Sequence, residues 1–148
     1  MSEALLAAPI DPEADALFAL AARGDLEAQR KLLAVAVDAA HNGQITYTHA
    51  IWGSQILARM AAAHGHAEDR LYLASILFHL AAIDRETGGS CVSGYQAEGL
   101  AILNTLADEG DEKAAEWLNH AVAALPTETV AAAEEIGRHV AASGVTVH

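Results

Sequence analysis

Apolar positions along the chain recur with a helical period, not a strand period. Beyond Gly24, Gly65 and Gly110, apolar residues stand eight, eleven, twelve and fifteen positions on. They are Leu32, Val35, Ala36 and Ala39, then Leu73, Ile76, Leu77 and Leu80, then Leu118, Ala121, Val122 and Leu125. At 3.6 residues per turn those offsets share one helical face. Ahead of the same glycines, Ala16, Leu17 and Leu20 match Leu57, Ala58 and Ala61, and then Ile102, Leu103 and Leu106. Each glycine therefore separates two amphipathic helices whose small side chains permit close approach.

The glycines lie 41 and 45 residues apart, and each has an alanine three residues before it: Ala21, Ala62 and Ala107. The segments Gly24-Asp25-Leu26-Glu27-Ala28 and Gly110-Asp111-Glu112-Lys113-Ala114 nearly repeat, whereas Gly65-His66-Ala67-Glu68-Asp69 is looser. Glycine just past a helix takes the left-handed conformation that ends it, and the aspartate that follows caps the next helix. His66 is a poor cap, so the middle turn is expected to be held less firmly.

These cues predict seven helices, at about 12–23, 26–41, 48–64, 67–86, 95–109, 112–125 and 128–142. Pro12 suits the first helical position after Asp11 as cap, and Pro126 ends the sixth helix. His41-Asn42-Gly43-Gln44 and Thr87-Gly88-Gly89-Ser90 form the longer connections. The Gly88 to Gly94 stretch reads as a flexible loop carrying Cys91, and such loops often make contacts. The fourth helix is apolar nearly all round from Leu71 to Ile83, as a helix sandwiched mid-stack should be. The expected fold is all-α, a short right-handed α-solenoid of antiparallel helix pairs. Residues 1–11 form an N-terminal arm, 12–143 a single helical-repeat domain and 144–148 a tail.

Composition agrees. A chain of 148 residues suits one domain, which buries about two-thirds of the surface exposed by the unfolded chain. Alanine fills 35 positions and proline three, which favours helix and hardly any strand. Cys91 stands alone, and no basic leader with an apolar stretch opens the chain, so a reducing cytoplasm is the expected location. Charged residues or histidine break every apolar run well short of a membrane span. The net charge of −12 repels phosphates and anionic headgroups, which argues against nucleic-acid and membrane partners.

With the repeat laid out, the chain resembles the Sel-one-like branch of the tetratricopeptide superfamily over roughly residues 12 to 142. The resemblance rests on a helix ending in a Gly-containing loop (Gly43, or Gly88-Gly89). A second helix then ends in Leu106-Ala107-Asp108-Glu109-Gly110-Asp111, and Ala114 follows. It implies helix pairs stacked into a curved solenoid whose concave side binds proteins or peptides, typically in bacterial signalling and assembly complexes. It implies no catalytic residues and no cofactor.

If the post-glycine helices line the concave side, an exposed ladder stands at offsets three, seven, ten and fourteen. Its rungs are Glu27, Lys31, Ala34 and Asp38, then Glu68, Tyr72, Ser75 and His79, then Lys113, Trp117, His120 and Ala124. Aromatic and imidazole groups with charged edges suit a recognition patch. The same spacing is equally that of packing residues, so Tyr72 and Trp117 read alternatively as partly buried between repeats. Trp52 and Tyr95, near helix starts, read as structural, packing on the loops before them. The acidic run Asp108, Glu109, Asp111, Glu112 and Glu116, opposed only by Lys113, reads as a solvated junction or as a docking patch for a basic protein.

Catalytic and metal motifs are sparse. His64-Gly65-His66 is the closest histidine pair, but it straddles a turn with no cysteine or second pair at zinc spacing. Glu116 with His120, and Glu135 with His139, are four apart on one face, which is not the di-iron pattern. No phosphate-cradling glycine loop or nucleophile elbow occurs. The expectation is a non-enzymatic adaptor or regulator binding a protein segment on the ladder. An acidic inhibitor, immunity factor or chaperone that neutralises a basic protein is the alternative, and a histidine-based metalloprotein comes last. Open solenoid ends call for a cover: Leu5, Leu6 and Ile10 at one end, Val145 and Val147 at the other, or self-association into a homo-oligomer.

Overall fold

The computed structural model describes residues 11–142, so Leu5, Leu6, Ile10, Val145 and Val147 lie outside the described residues. Those residues form seven helices and no strand: α1 (Pro12–Ala22), α2 (Leu26–His41), α3 (Tyr47–Ala62), α4 (Ala67–Glu86), α5 (Val92–Asp108), α6 (Glu112–Ala124) and α7 (Thr127–Ala142). From α1 to α6, each helix packs against the one before it in the chain, and α7 packs on α5.

The turns follow from their local chemistry. Gly24, Gly65 and Gly110 all take positive φ, at 95°, 90° and 95°. After α1, the Gly24 N–H donates to the Ala21 carbonyl at 3.0 Å and the Asp25 N–H to the Leu20 carbonyl at 3.1 Å. After α5, Gly110 donates to Ala107 at 3.0 Å and Asp111 to Leu106 at 2.9 Å. This pair of bonds satisfies carbonyls that a helix end leaves open. Asp25 and Asp111 then accept from Ala28 N–H and Ala114 N–H, both at 2.8 Å. At the middle turn Gly65 donates to Ala62 at 3.0 Å, but His66 makes neither the second backbone bond nor a side-chain cap. Fewer bonds close this turn, in line with histidine standing where the other copies have aspartate.

Asp11 caps α1 by accepting from Glu13 N–H at 3.0 Å and Ala14 N–H at 3.3 Å, with Pro12 beginning the helix. Leu125 is extended before Pro126 and ends α6. The largest boundary difference from expectation is at α5, which begins at Val92, so Ser93 and Gly94 are helical and the loop is short. Asp84 is the cause. Its carbonyl accepts from Gly89 N–H at 2.7 Å and its carboxylate from Cys91 N–H at 2.7 Å, which ties the connection down and launches α5 early. Helix α3 likewise starts one residue early because Thr46 caps it, accepting from His49 N–H at 3.2 Å.

The core is continuous. Leu33, Ile51, Ala58, Ala61, Leu73, Leu77 and Leu80 join α2, α3 and α4. Leu103, Leu106, Ala74 and Ala114 join α4, α5 and α6, while Ala97, Leu100 and Ala133 bring in α7. Burial at equivalent offsets differs between the copies. Ile76 is 3% exposed, whereas Val35 at the same offset in the first copy is 58% exposed. Val122 and Leu20 are also more exposed than their offsets predict, because the outer helices lack a neighbour on one side. Of the nine exposed large apolar side chains among the described residues, eight fall between Phe18 and Ile56.

Candidate functional site

Three ion pairs tie the helices together, and α4 contributes to two of them. Arg30 on α2 donates to Asp69 through two bonds, Nε to Oδ1 at 3.0 Å and Nη2 to Oδ2 at 2.7 Å. It also reaches Glu68 and Glu27, both at 3.0 Å. The bond to Asp69 holds the Arg30 guanidinium above its ordinary pKa against the opposing effect of burial. Two further pairs bridge residues 39 apart in sequence: Arg59 on α3 with Glu98 on α5, and Arg70 on α4 with Glu109 at the end of α5. All three link helices that are not consecutive in sequence or join a helix to the next helix's end. They therefore set how neighbouring pairs sit together.

Between α2 and α4 runs a groove of about 400 Å³, lined by Leu33, Ala34, Val37, Asp38, Glu68 and Tyr72 with Arg30 and Asp69, and floored by Ala58 and Ala61 of α3. The cause is visible in the repeat. Seven and four residues before their glycines, the first copy has Leu17 and Leu20 and the third has Leu103 and Leu106. The middle copy has alanine at both positions, Ala58 and Ala61. Leu103 and Leu106 are fully buried, and Trp117 of α6 packs over that cluster at the next junction. With two alanines underneath, the α2–α4 junction is left open.

The predicted ladder divides. Ala34, Asp38, Glu68 and Tyr72, from the first two rungs, meet at this groove. Tyr72 is half-buried, packs against the core and has its phenol pKa raised by burial, so it serves both packing and lining. Lys31 is exposed and Ser75 half-buried, and neither lines the groove. His79 is exposed and hydrogen-bonded through Nδ1 to the Tyr47 hydroxyl. On the third rung, Trp117 packs against the α4–α6 core with the Lys113 ammonium 5.3 Å from its ring centre. His120 is exposed and turned back on its own helix, its Nδ1 2.9 Å from the Glu116 carbonyl.

Within the acidic run, Asp111 is occupied as a cap and Glu109 by Arg70, while Asp108, Glu112 and Glu116 are exposed. Asp108 and Glu109 border a second cavity of about 600 Å³ between α5 and α7, together with Glu134 and Arg138. Trp52 and Tyr95 meet each other edge to face, ring centres 6.5 Å apart, rather than packing only on their preceding loops. Cys91 is an exposed free thiol. Among the described residues no three His, Cys, Asp or Glu side chains gather as metal ligands, and no helix is long and apolar enough to cross a membrane.

Sequence reasoning missed Leu33, Val37, Asp69 and, most consequentially, Arg30 at the groove. It stands six positions after Gly24, outside the ladder offsets, and its pairing across 39 residues has no local signature. Ala58 and Ala61 were visible as small residues, but the opening above them depends on which helices face each other. Comparison with protein-family models, curated proteins and solved structures finds no match for the chain.

Proposed function

We propose that the helices form a short right-handed solenoid of Sel-one-like type, and that the chain is a non-enzymatic interaction module holding a segment of another protein in the α2–α4 groove. The observation that carries this reading is that Ala58 and Ala61 stand where the other two copies have leucine, at the junction where the α2–α4 groove opens. Exchanging leucine for alanine in a packed helical layer costs core contacts, about 2–5 kcal/mol where the site stays open. The apolar lining with charged groups at its edge is the composition of a recognition surface.

Affinity capture from the source cell, followed by binding measurements with the purified partner, tests the proposal. Ala34 is exposed on the groove wall, so Ala34→Trp fills the groove without entering the core. Partner binding falls at least about tenfold in that variant if the reading holds. Unchanged binding with a retained helical fold contradicts it.

A second reading places a basic protein on the C-terminal half. Residues 63–142 carry thirteen acidic side chains against four basic, whereas residues 11–62 carry six against four. On that reading binding is lost in high salt and after charge reversal at Asp108, Glu112 and Glu116, and survives Ala34→Trp.

A further inference from the structure

We propose that the occupant of the α2–α4 groove is a short amphipathic protein segment that presents leucine-sized apolar side chains to the alanine floor and a lysine or arginine to the rim. This rests on the groove being the binding site and names the chemistry of what enters it.

The floor dictates the apolar half. Ala58 and Ala61 are each 1% exposed, Leu33 is buried beside them, and Ala34, Val37 and the Tyr72 ring form the walls. Nothing on that floor offers a hydrogen bond, so a polar group brought down onto it would lose its water without compensation. Above that floor, an entering leucine-sized side chain meets the exposed Ala34 and Val37 and the half-buried Tyr72 ring.

The rim dictates the charge. Among the described residues Arg30 is the only cation lining the groove, and its guanidinium is already committed to Asp69, with Glu68 and Glu27 at 3.0 Å. Against it stand Asp38, Glu68 and Asp69, which leaves the lining two charges negative. The Asp38 carboxylate has no ion pair or hydrogen bond with any described residue, and Glu68 shares its one partner with two other carboxylates. An acidic segment would meet uncompensated repulsion here, and a basic one gains two carboxylates. Among the described residues there is no strand edge on which an extended segment could add, so a segment that folds as an amphipathic helix is the form that fits.

Three fluorescein-labelled synthetic peptides test this by anisotropy with the full chain: one of leucine and lysine in amphipathic order, one with every lysine changed to glutamate, and one with every leucine changed to serine. The leucine–lysine peptide binds, and each of the other two binds at least about tenfold more weakly. Ala34→Trp and Asp38→Lys each weaken the first peptide's binding by a similar factor, and the double change Glu112→Lys, Glu116→Lys leaves it unaltered. Circular dichroism confirms that each variant keeps its helices. Equal binding of the glutamate peptide, or of the serine peptide, overturns the proposal, as does binding that survives Ala34→Trp. A concentration-dependent mass by light scattering that Ala34→Trp abolishes would make a second copy the occupant and equally overturn it. Should Ala34→Trp displace a captured partner that competes only with the glutamate peptide, the groove stands and the basic chemistry falls. Should Ala34→Trp displace nothing, the groove itself falls.

Discussion

Arg30 and Asp69 meet in a two-pronged pair that joins α2 to α4 across the mouth of the groove, with both bonds at 3.0 Å or less. Asp69 is nearly buried, so its charge needs this partner. Arg30→Ala and Asp69→Ala each lower the midpoint of urea unfolding, and the double variant loses less than the two singles together. Arg30→Lys recovers little, because an ammonium cannot make the fork. Additive losses would mean that the pair carries no coupling.

Arg70 presents a second dependence. Its side chain is 5% exposed and held by Glu109 alone, with Nε and Nη2 lacking a protein partner. Removing Glu109 strands a buried cation, so Glu109→Ala costs about 1–2 kcal/mol, between the values for surface and fully buried pairs. In an Arg70→Met background the same change is nearly neutral. Equal costs in both backgrounds, measured by denaturant unfolding, would remove the explanation.

Two helical glycines are expected to respond in opposite directions. An added Cβ at Gly53 meets nothing within 4 Å, so Gly53→Ala gains about 0.5–1 kcal/mol from reduced chain freedom in the unfolded state. At Gly99 the same carbon meets the Phe78 ring at 3.0 and 3.1 Å. Overpacking there outweighs helix preference, and Gly99→Ala loses about 1 kcal/mol. Thermal unfolding of the two variants reads both signs.

Burial raises the phenol pKa of Tyr72, Tyr47 and Tyr95 above the ordinary 10.0. The folded chain therefore holds these protons more tightly than the unfolded chain does. Their contribution is complete below the unfolded value and is lost as pH rises through the folded ones. The melting temperature falls above about pH 10, and Tyr72→Phe makes that fall shallower. An unchanged alkaline slope in Tyr72→Phe would contradict the assignment to this residue.

Local chemistry made the helices and their turns largely readable in advance. Asp11, Asp25 and Asp111 cap as their positions predict, the three repeat glycines turn left-handed, and Pro126 ends α6. What was not readable depended on neighbours. Val35 and Ile76 share an offset but not an environment, the first being 58% exposed and the second 3%. Asp84 reaches seven residues ahead to Cys91 and shortens a loop that glycine content alone made long. Four of the ten residues lining the groove were visible in the ladder, Ala34, Asp38, Glu68 and Tyr72, whereas Arg30 joined them only through a contact with a residue 39 positions away.

The central claim, that the α2–α4 groove is the working surface, is tested most directly by mapping backbone amide shifts in an isotope-labelled chain as a purified partner segment is added. The account predicts the largest shifts at Leu33, Ala34, Val37, Asp38, Glu68 and Tyr72. Shifts confined to Asp108, Glu112 and Glu116, or to Trp52 and Ile56, with the groove residues unmoved, would contradict it.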